Sequence, residues 1–362
     1  MADNVTSLVD SLAAGRSLSA DEYERLVTAR TPQLADELAG RAREACERVY
    51  GDAVFTRALI EISNVCRNDC YYCGIRRSNR DCARYQMDAE QVMACAREGW
   101  RAGFRTFVLQ GGESSILTDA WLGDLVRDLK ASFPGCAVTL SVGERSRDSY
   151  RHLREAGADR YLLRHETATP AHYQQLHPAA MSFDTRMECL RNLRELGYAV
   201  GTGFMVGSPF QTPARIAADL KFIEHFKPEM CGIGPFVPHH GTPFTNEGAG
   251  TVDLTCYLLS LIRLMQPAML LPARRWRRWS PTAVNAPFGL EPMWSCRMCR
   301  RPCCRKATSC TTASQYRRRR HSRNGPSWNG SSLRWAAASS LTGEMWPNRV
   351  RRRIVVAKYD VR

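Results

Sequence analysis

The sequence predicts an α/β protein built on a parallel sheet, with a TIM-type (β/α)8 barrel as the expected architecture. From residue 51 to residue 272, short β-rich segments alternate with longer helical segments, which is typical of βαβ crossovers. Polar, glycine-rich segments follow six of the expected strands, where a barrel collects its functional residues. A doubly wound open sheet is the alternative, although no GxGxxG or GxxxxGK[ST] motif supports a nucleotide-binding fold.

Helices are expected before the barrel, over residues 1–50. Ser19 and Glu22 have the S-x-x-E spacing of a capping box, in which two side chains satisfy free N–H groups at a helix start. From there to Tyr50 the sequence is rich in good helix formers. These residues therefore form an N-terminal helical segment ahead of a barrel domain at residues 51–272.

Seven strands and at least five intervening helices are expected in the barrel domain. The strands are expected at Val54–Ser63, Thr106–Gln110, Cys136–Ser141, Asp159–Arg164, Tyr198–Val206, Met230–Gly234 and Ala268–Leu271. The helices are expected at Asp88–Ala102, Asp119–Ala131, Arg145–Ala156, Asp184–Leu196 and Thr212–His225. The barrel pattern is thus truncated after about the seventh strand.

Three cysteines follow the first strand with C-x3-C-x2-C spacing: Cys66, Cys70 and Cys73. Three soft thiolates within eight residues can converge on an iron–sulfur cluster, zinc or Cu(I). A zinc site needs a fourth Cys or His nearby, and the next cysteine, Cys82, lies nine residues further on. A four-iron cluster held by three cysteines keeps one iron open for chemistry. Three unrelated thiols are the alternative.

A family resemblance rests on these cysteines, on the aromatic residue before the third one and on a Gly-Gly-Glu turn after strand two. Together they resemble the radical S-adenosylmethionine (SAM) superfamily. Within it, four longer segments resemble the E-type maturase family of [FeFe]-hydrogenase, related in architecture to biotin synthase and methylornithine synthase. These segments are ISNVCRNDCYYCGIRRSN, RYLLRHETA, FMVGSPFQT and GIGPFVPHHGTPF.

The resemblance implies a radical SAM barrel with a [4Fe-4S] cluster and SAM as cofactors. It implies that Cys66, Cys70 and Cys73 are the cluster ligands. The residues implied to contact SAM are Tyr72, Gly111, Gly112, Glu113, Ser141, Glu166, Arg186 and Met205. Outside the resemblance, Arg186 on a helix would be expected to form a surface ion pair. No catalytic residue is assigned.

The function implied by the resemblance is cleavage of SAM to a 5′-deoxyadenosyl radical, in assembly of the diiron H-cluster of [FeFe]-hydrogenase. The implied partners are a small-molecule or iron-complex substrate, an electron donor such as ferredoxin or flavodoxin, and other hydrogenase maturation proteins. A biotin synthase-like or amino-acid mutase-like activity is the alternative. The sequence has neither a transmembrane pattern nor a secretory signal, so a cytoplasmic protein without a membrane partner is expected.

The segment 273–362 has a different composition from the rest of the chain. It carries 21 Lys and Arg against 3 Asp and Glu, a net charge of +18, whereas residues 1–272 have a net charge of −3. If the codons of ARRWRRWSP are read from one base earlier, they can encode TALATLEP after Ala273, which resembles the family's sequence after strand seven. We interpret the segment as an aberrant tail read out of frame.

Two alternatives for the tail remain open. Its arginines could contact nucleic-acid phosphates, which would make the protein a nucleic-acid-binding module. Cys296 and Cys299 have the C-x2-C spacing of a zinc site. The frameshift interpretation instead leads us to expect no nucleic-acid partner.

Hydrogen exchange tests the interpretation of the tail. Because a segment of this charge repels itself and its apolar residues follow no helical or strand period, it cannot bury a coherent face. We expect fast amide exchange throughout residues 273–362 and protection within residues 54–271. Strong protection across residues 285–300 would contradict the frameshift interpretation.

Overall fold

The computed structural model describes residues 2–51 and 53–271, and the basic tail lies outside these ranges. Three helices come first: α1 (Ala2–Ala13), α2 (Ala20–Thr28) and α3 (Pro32–Tyr50). The expected capping box is present at the start of α2, where Ser19 and Glu22 each accept a backbone N–H of the other residue. None of the described helices is long and apolar enough to cross a membrane.

A parallel sheet of six strands follows, and its strand order never reverses. Each of the six strands except the last pairs with the strand of this sheet that follows it along the chain. A doubly wound sheet reverses its strand order at a switch point, so this succession confirms the barrel-type arrangement and not the open-sheet alternative. The strands are β1 (Ala58–Ser63), β2 (Thr106–Gly111), β3 (Ala137–Ser141), β4 (Arg160–Leu162), β5 (Ala199–Thr202) and β7 (Met230–Cys231).

The fifth and sixth expected strands are each divided in two. The fifth breaks at Gly203, which has a φ of +153° and lies so close to Gly232 that a Cβ atom would be 2.2 Å from the Gly232 carbonyl oxygen. Beyond the breaks, β6 (Met205–Val206) and β8 (Gly234–Pro235) form a small parallel sheet of their own. The seventh strand expected at Ala268–Leu271 is reduced to a single bridge between Leu270 and Met230.

The crossover helices match the expected ones within about two residues, and two further helices were not expected. The expected crossover helices are α4 (Ala89–Arg101), α5 (Asp119–Ser132), α6 (Arg147–Glu155), α8 (Phe183–Glu195) and α9 (Pro213–Phe226). The two unexpected helices are α7 (Pro170–Leu176) and α10 (Val252–Met265). One hydrophobic core lies between the first five strands and their helices, and a second joins α1–α3 to α9 and α10. This framework places the loop after β1 at the carboxyl edge of the sheet.

Candidate functional site

The cysteine loop, residues 64–85, follows β1 and is fastened by hydrogen bonds to its own backbone. The Asn64 side chain donates to the Ala83 carbonyl at 2.8 Å and accepts from the Tyr85 amide at 2.7 Å. The Arg84 guanidinium donates to the carbonyl groups of four residues of the loop, which fixes the backbone around the cysteines. These residues are Asn64, Ile75, Arg76 and Asn79.

Cys66, Cys70 and Cys73 are free thiols, and all three are half-buried. Burial raises the pKa of each thiol, to about 11 for Cys73, and the negative charge of a neighbouring thiolate raises the pKa of Cys70 and Cys73 further. The sulfurs therefore stay protonated until a metal centre displaces the protons. Within the described ranges, no three His, Cys, Asp or Glu side chains are arranged to hold one metal ion. The donor set, three soft thiols on one fastened loop, fits iron–sulfur ligation.

The Gly-Gly-Glu turn at the end of β2 packs directly against this loop. The Gly112 amide donates to the Ser63 carbonyl at 3.1 Å, and a Cβ atom on Gly112 would lie 2.3 Å from the Val65 carbonyl oxygen. The buried Glu113 carboxylate accepts from Arg67 Nε at 2.7 Å and from the Glu144 amide at 2.7 Å. Glu113 thus ties the cysteine loop to the end of β3.

Glu166 lies beyond β4 in a left-handed backbone conformation, with a φ of +63°. Its amide donates to the Gly203 carbonyl at 3.0 Å, and the residue pairs with Phe204 as a parallel bridge. The residue is 7% exposed, and Oε2 has no hydrogen-bond partner among the described residues; Arg164 Nη2 lies 3.7 Å from Oε2. A buried carboxylate oxygen without a donor indicates a place for a polar ligand group.

Arg186, on α8, faces inward and is 6% exposed, so the expectation of a surface ion pair is wrong. Its guanidinium donates to Glu144 Oε1 and to the Arg164 carbonyl at 2.6 Å. The positive charge of Arg186 favours the thiolate form of Cys70, and the negative charge of Glu166 disfavours it. The structure therefore brings Arg186, Glu166 and the cysteine loop together.

Tyr72, between the second and third cysteines, is held by a histidine that the sequence did not predict. The Tyr72 hydroxyl lies 3.0 Å from His177 Nε2, and His177 Nδ1 lies 2.8 Å from the Tyr173 carbonyl. A carbonyl only accepts, so Nδ1 carries the ring proton and Tyr72 donates to Nε2. Burial lowers the pKa of His177 to about 4, which keeps this neutral form at neutral pH.

Gly111, also predicted to contact SAM, is the last residue of β2 and pairs with Ser63 of β1. The other two predicted contacts occupy different surroundings. Met205, on β6, is buried in an apolar cluster against which Tyr71 and Tyr72 pack. Ser141 is half-buried at the end of β3, where it pairs in register with Gln110 at the end of β2. Both lie at the carboxyl edge, where the structure also places the cysteine loop and Glu166.

Sequence reasoning missed Glu144, Tyr173 and His177. Tyr173 and His177 belong to α7 and its C-cap, and a helix of seven residues gives too short a periodic pattern to detect. Their spacing of four residues, which puts two side chains on one helix face, is the signal that was available. Tyr173 is fully buried, and its hydroxyl has no hydrogen-bond partner in the described part of the chain.

The fold and the loop define a class of protein. A parallel α/β barrel-type sheet carries a three-cysteine loop after its first strand, and residues 60–223 match the model of the radical SAM superfamily. This match confirms the resemblance to the superfamily that was found in the sequence.

Comparison with individual proteins gives more specific similarities than the superfamily match. The chain is 45% identical over 232 residues to the [FeFe] hydrogenase maturase subunit HydE of Thermotoga maritima, which covers 64% of this chain and 66% of the maturase. That is just under two thirds of the maturase's length. This chain is also 26% identical to 3-methylornithine synthase of Methanosarcina barkeri, over 75% of this chain and 77% of the synthase. The crystal structure of methylornithine synthase (PylB) superposes with a TM-score of 0.67 and 25% identity, over 73% of this chain and 78% of that one.

Gly112→Ala tests the contact between the glycine turn and the cysteine loop. The new Cβ would lie 2.8 Å from Cys66 Cβ, so the loop must move away from β2. We expect the affinity of the loop for iron to fall about tenfold, the size seen when residues supporting metal ligands are changed. Iron and sulfide bound per chain after anaerobic reconstitution provide the measurement. Gly40→Ala, where a Cβ meets nothing within 4 Å, is the matched control and should load normally.

His177→Asn tests the neutral histidine beneath Tyr72. Because the folded-state pKa is depressed from 6.5 to about 4, the unfolded chain takes up the proton first as the pH falls. Stability is therefore lost progressively between pH 6.5 and pH 4. We expect the variant to lose about 2 kcal/mol less than the parent chain between pH 7 and pH 4.5. Urea unfolding at both pH values measures this, and equal losses in the two proteins would contradict the assignment.

Proposed function

We propose that this chain is a radical SAM enzyme that acts in assembly of the diiron H-cluster of [FeFe]-hydrogenase. The observation that carries the proposal is the set of three free thiols on one fastened loop, near the buried Arg186 and Glu166, whose Oε2 accepts no hydrogen bond from a described residue. The 45% identity to the hydrogenase maturase supports the assignment to H-cluster assembly.

In this proposal, Cys66, Cys70 and Cys73 would hold a [4Fe-4S] cluster, and residues of the loop and of the carboxyl edge of the sheet would bind SAM. When bound, the cluster supplies the electron that cleaves SAM into methionine and a 5′-deoxyadenosyl radical. The residues proposed to contact SAM are Tyr72, Gly111, Gly112, Glu113, Ser141, Glu166, Arg186 and Met205.

The chain's own residues would bind and orient SAM. Glu166 Oε2 is a buried acceptor that a ligand hydroxyl or ammonium group would satisfy. Glu113 is already bonded to Arg67 and to the Glu144 amide, so we propose that its turn contributes backbone groups more than its carboxylate. Met205 and the aromatic side chains beside it would keep water from the reacting atoms.

We propose a small-molecule or iron-complex substrate and other hydrogenase maturation proteins as partners. A low-potential electron donor such as ferredoxin or flavodoxin would reduce the cluster. The second candidate is an amino-acid mutase-like or biotin synthase-like activity, which the match to methylornithine synthase supports. Its lower identity, 26% against 45%, places it second.

Reconstitution and cysteine substitution test the proposal. We expect the anaerobically reconstituted chain to bind about one [4Fe-4S] cluster, and Cys66→Ala, Cys70→Ala or Cys73→Ala to abolish it, because three ligands hold it. Cys189→Ala, which changes a buried thiol on α8, is the control and should load normally. A full cluster in the variant lacking all three loop cysteines would refute the ligand assignment.

The same preparation tests SAM chemistry. With dithionite and SAM we expect production of 5′-deoxyadenosine and a change in the EPR spectrum of the reduced cluster when SAM is added. If SAM leaves the spectrum unchanged, the proposed activity is wrong for this chain.

A further inference from the structure

The exposed part of the cysteine loop, which includes Arg77 and Arg80, carries positive charge. The segment 67–84 contains five arginines and two aspartates, a net charge of +3, although residues 1–272 as a whole are slightly acidic. Asp69 pairs with Arg76 at 2.8 Å, so it does not neutralise the exposed arginines. Arg77 and Arg80 are exposed four and seven residues after Cys73, and no carboxylate of the described residues pairs with either.

These two arginines project from a fastened backbone. The Asn79 side chain, between them, donates to the Gly74 carbonyl at 2.7 Å, and the Ser78 amide donates to Asp69 at 3.0 Å. The Arg84 guanidinium donates to the carbonyl groups of Arg76 and Asn79, the first just before Arg77 and the second just before Arg80. When a partner binds here, little backbone has to become ordered. The loss of conformational entropy therefore takes little from the binding free energy.

Three exposed arginines on the crossover helices are arranged differently. Arg101, Arg127 and Arg151 each pair with a carboxylate three residues earlier on the same helix. Such pairs neutralise the charge locally and contribute little to stability. On the cysteine loop the charge is instead left available to a partner.

We propose that Arg77 and Arg80 form the docking surface for a small acidic electron-transfer protein. The inference rests on the proposed function, in which the cluster must accept one electron from outside the barrel. The reduced partner loses one electron and the oxidised cluster gains it, so no bond forms or breaks and no proton moves. Arg77 and Arg80 are exposed on the same loop as the three cysteines, so a partner bound to them would lie beside the cluster.

The chemistry of the surface fits such a partner. Complexes between electron-transfer proteins bury little area and form briefly, so charge complementarity governs how fast they form. Paired arginines on a fixed loop would attract an acidic surface and hold it beside the cysteines. Salt would weaken this attraction because the charges are exposed.

The test compares three double variants of the full chain. Arg77→Glu with Arg80→Glu reverses the proposed surface, and Arg77→Lys with Arg80→Lys preserves its charge. Arg97→Glu with Arg191→Glu is the matched control, because both residues are exposed in the C-terminal halves of α4 and α8. Crossover helices run back from the carboxyl edge, so these positions lie away from the cysteine loop. All variants keep the basic tail, so its charge is constant.

Two measurements use an acidic flavodoxin as the probe. The first is its equilibrium affinity for each chain at low and high salt, which requires no activity. The second is the rate at which the fully reduced flavodoxin reduces the cluster, followed by stopped-flow absorbance. Reduction by dithionite, which needs no docking surface, is measured in parallel.

We expect the reversed surface to lower both the affinity and the flavodoxin-driven rate by about tenfold at low salt, within the range of electrostatic steering. The lysine variant, the control variant and every dithionite rate should stay close to the parent chain. Equal losses in the reversed and control variants would overturn the docking surface. If dithionite reduces no cluster in the parent chain, the proposed function fails, and the affinity measurement still decides whether Arg77 and Arg80 bind the probe.

Discussion

The buried carboxylate of Glu113 is the contact on which the geometry of the site depends. A buried charge is stable only with partners, and Glu113 finds them on two other segments, at Arg67 of the cysteine loop and at the amide of Glu144 beyond β3. One side chain therefore sets the relative positions of the ends of β1, β2 and β3. The absence of a side chain at Gly143 is part of the same constraint, because a Cβ there would lie 2.5 Å from Glu113 Oε2.

The constraint continues from Glu144 across the carboxyl edge. While its amide donates to Glu113, its carboxylate accepts from Arg186, which in turn donates to the carbonyl of Arg164. Two residues further on, Glu166 is held at a positive φ by the strand-end backbone at Gly203. A continuous chain of polar contacts thus runs from the first strand end to the fourth. Such positive φ values in residues other than glycine are costly and concentrate at functional sites, which agrees with the orphan oxygen on Glu166.

The sequence was sufficient where a local pattern determines the structure. The capping boxes at Ser19 and Asp88, the crossover helices and the first four strands depend on nearby residues, and the structure has all of them. Two of these strands are shorter than expected: β1 begins at Ala58 and not at Val54, and β4 covers only Arg160–Leu162. The break at Gly203 was missed because it arises from close contact with Gly232. These two residues are distant in the sequence and come together only when the chain folds. The contacts of Glu113 and Arg186 were missed for the same reason: their partners lie on other segments. Motif spacing could nominate the three cysteines, but it could not find His177, whose role depends on where α7 packs.

The two sides of the cysteine loop differ in their electrostatic surroundings, and this difference has a physical basis. On the side of the thiols, partial burial disfavours the charged form and raises the pKa of all three groups. On the outer side, exposed arginines are solvated and cost little to keep charged. A single loop can serve both surroundings because Asn64 and Arg84 bind much of its backbone from within the loop. The Arg67 and Tyr71 amides also donate to the carbonyl groups of Glu113 and Leu176, which hold the loop against the neighbouring segments.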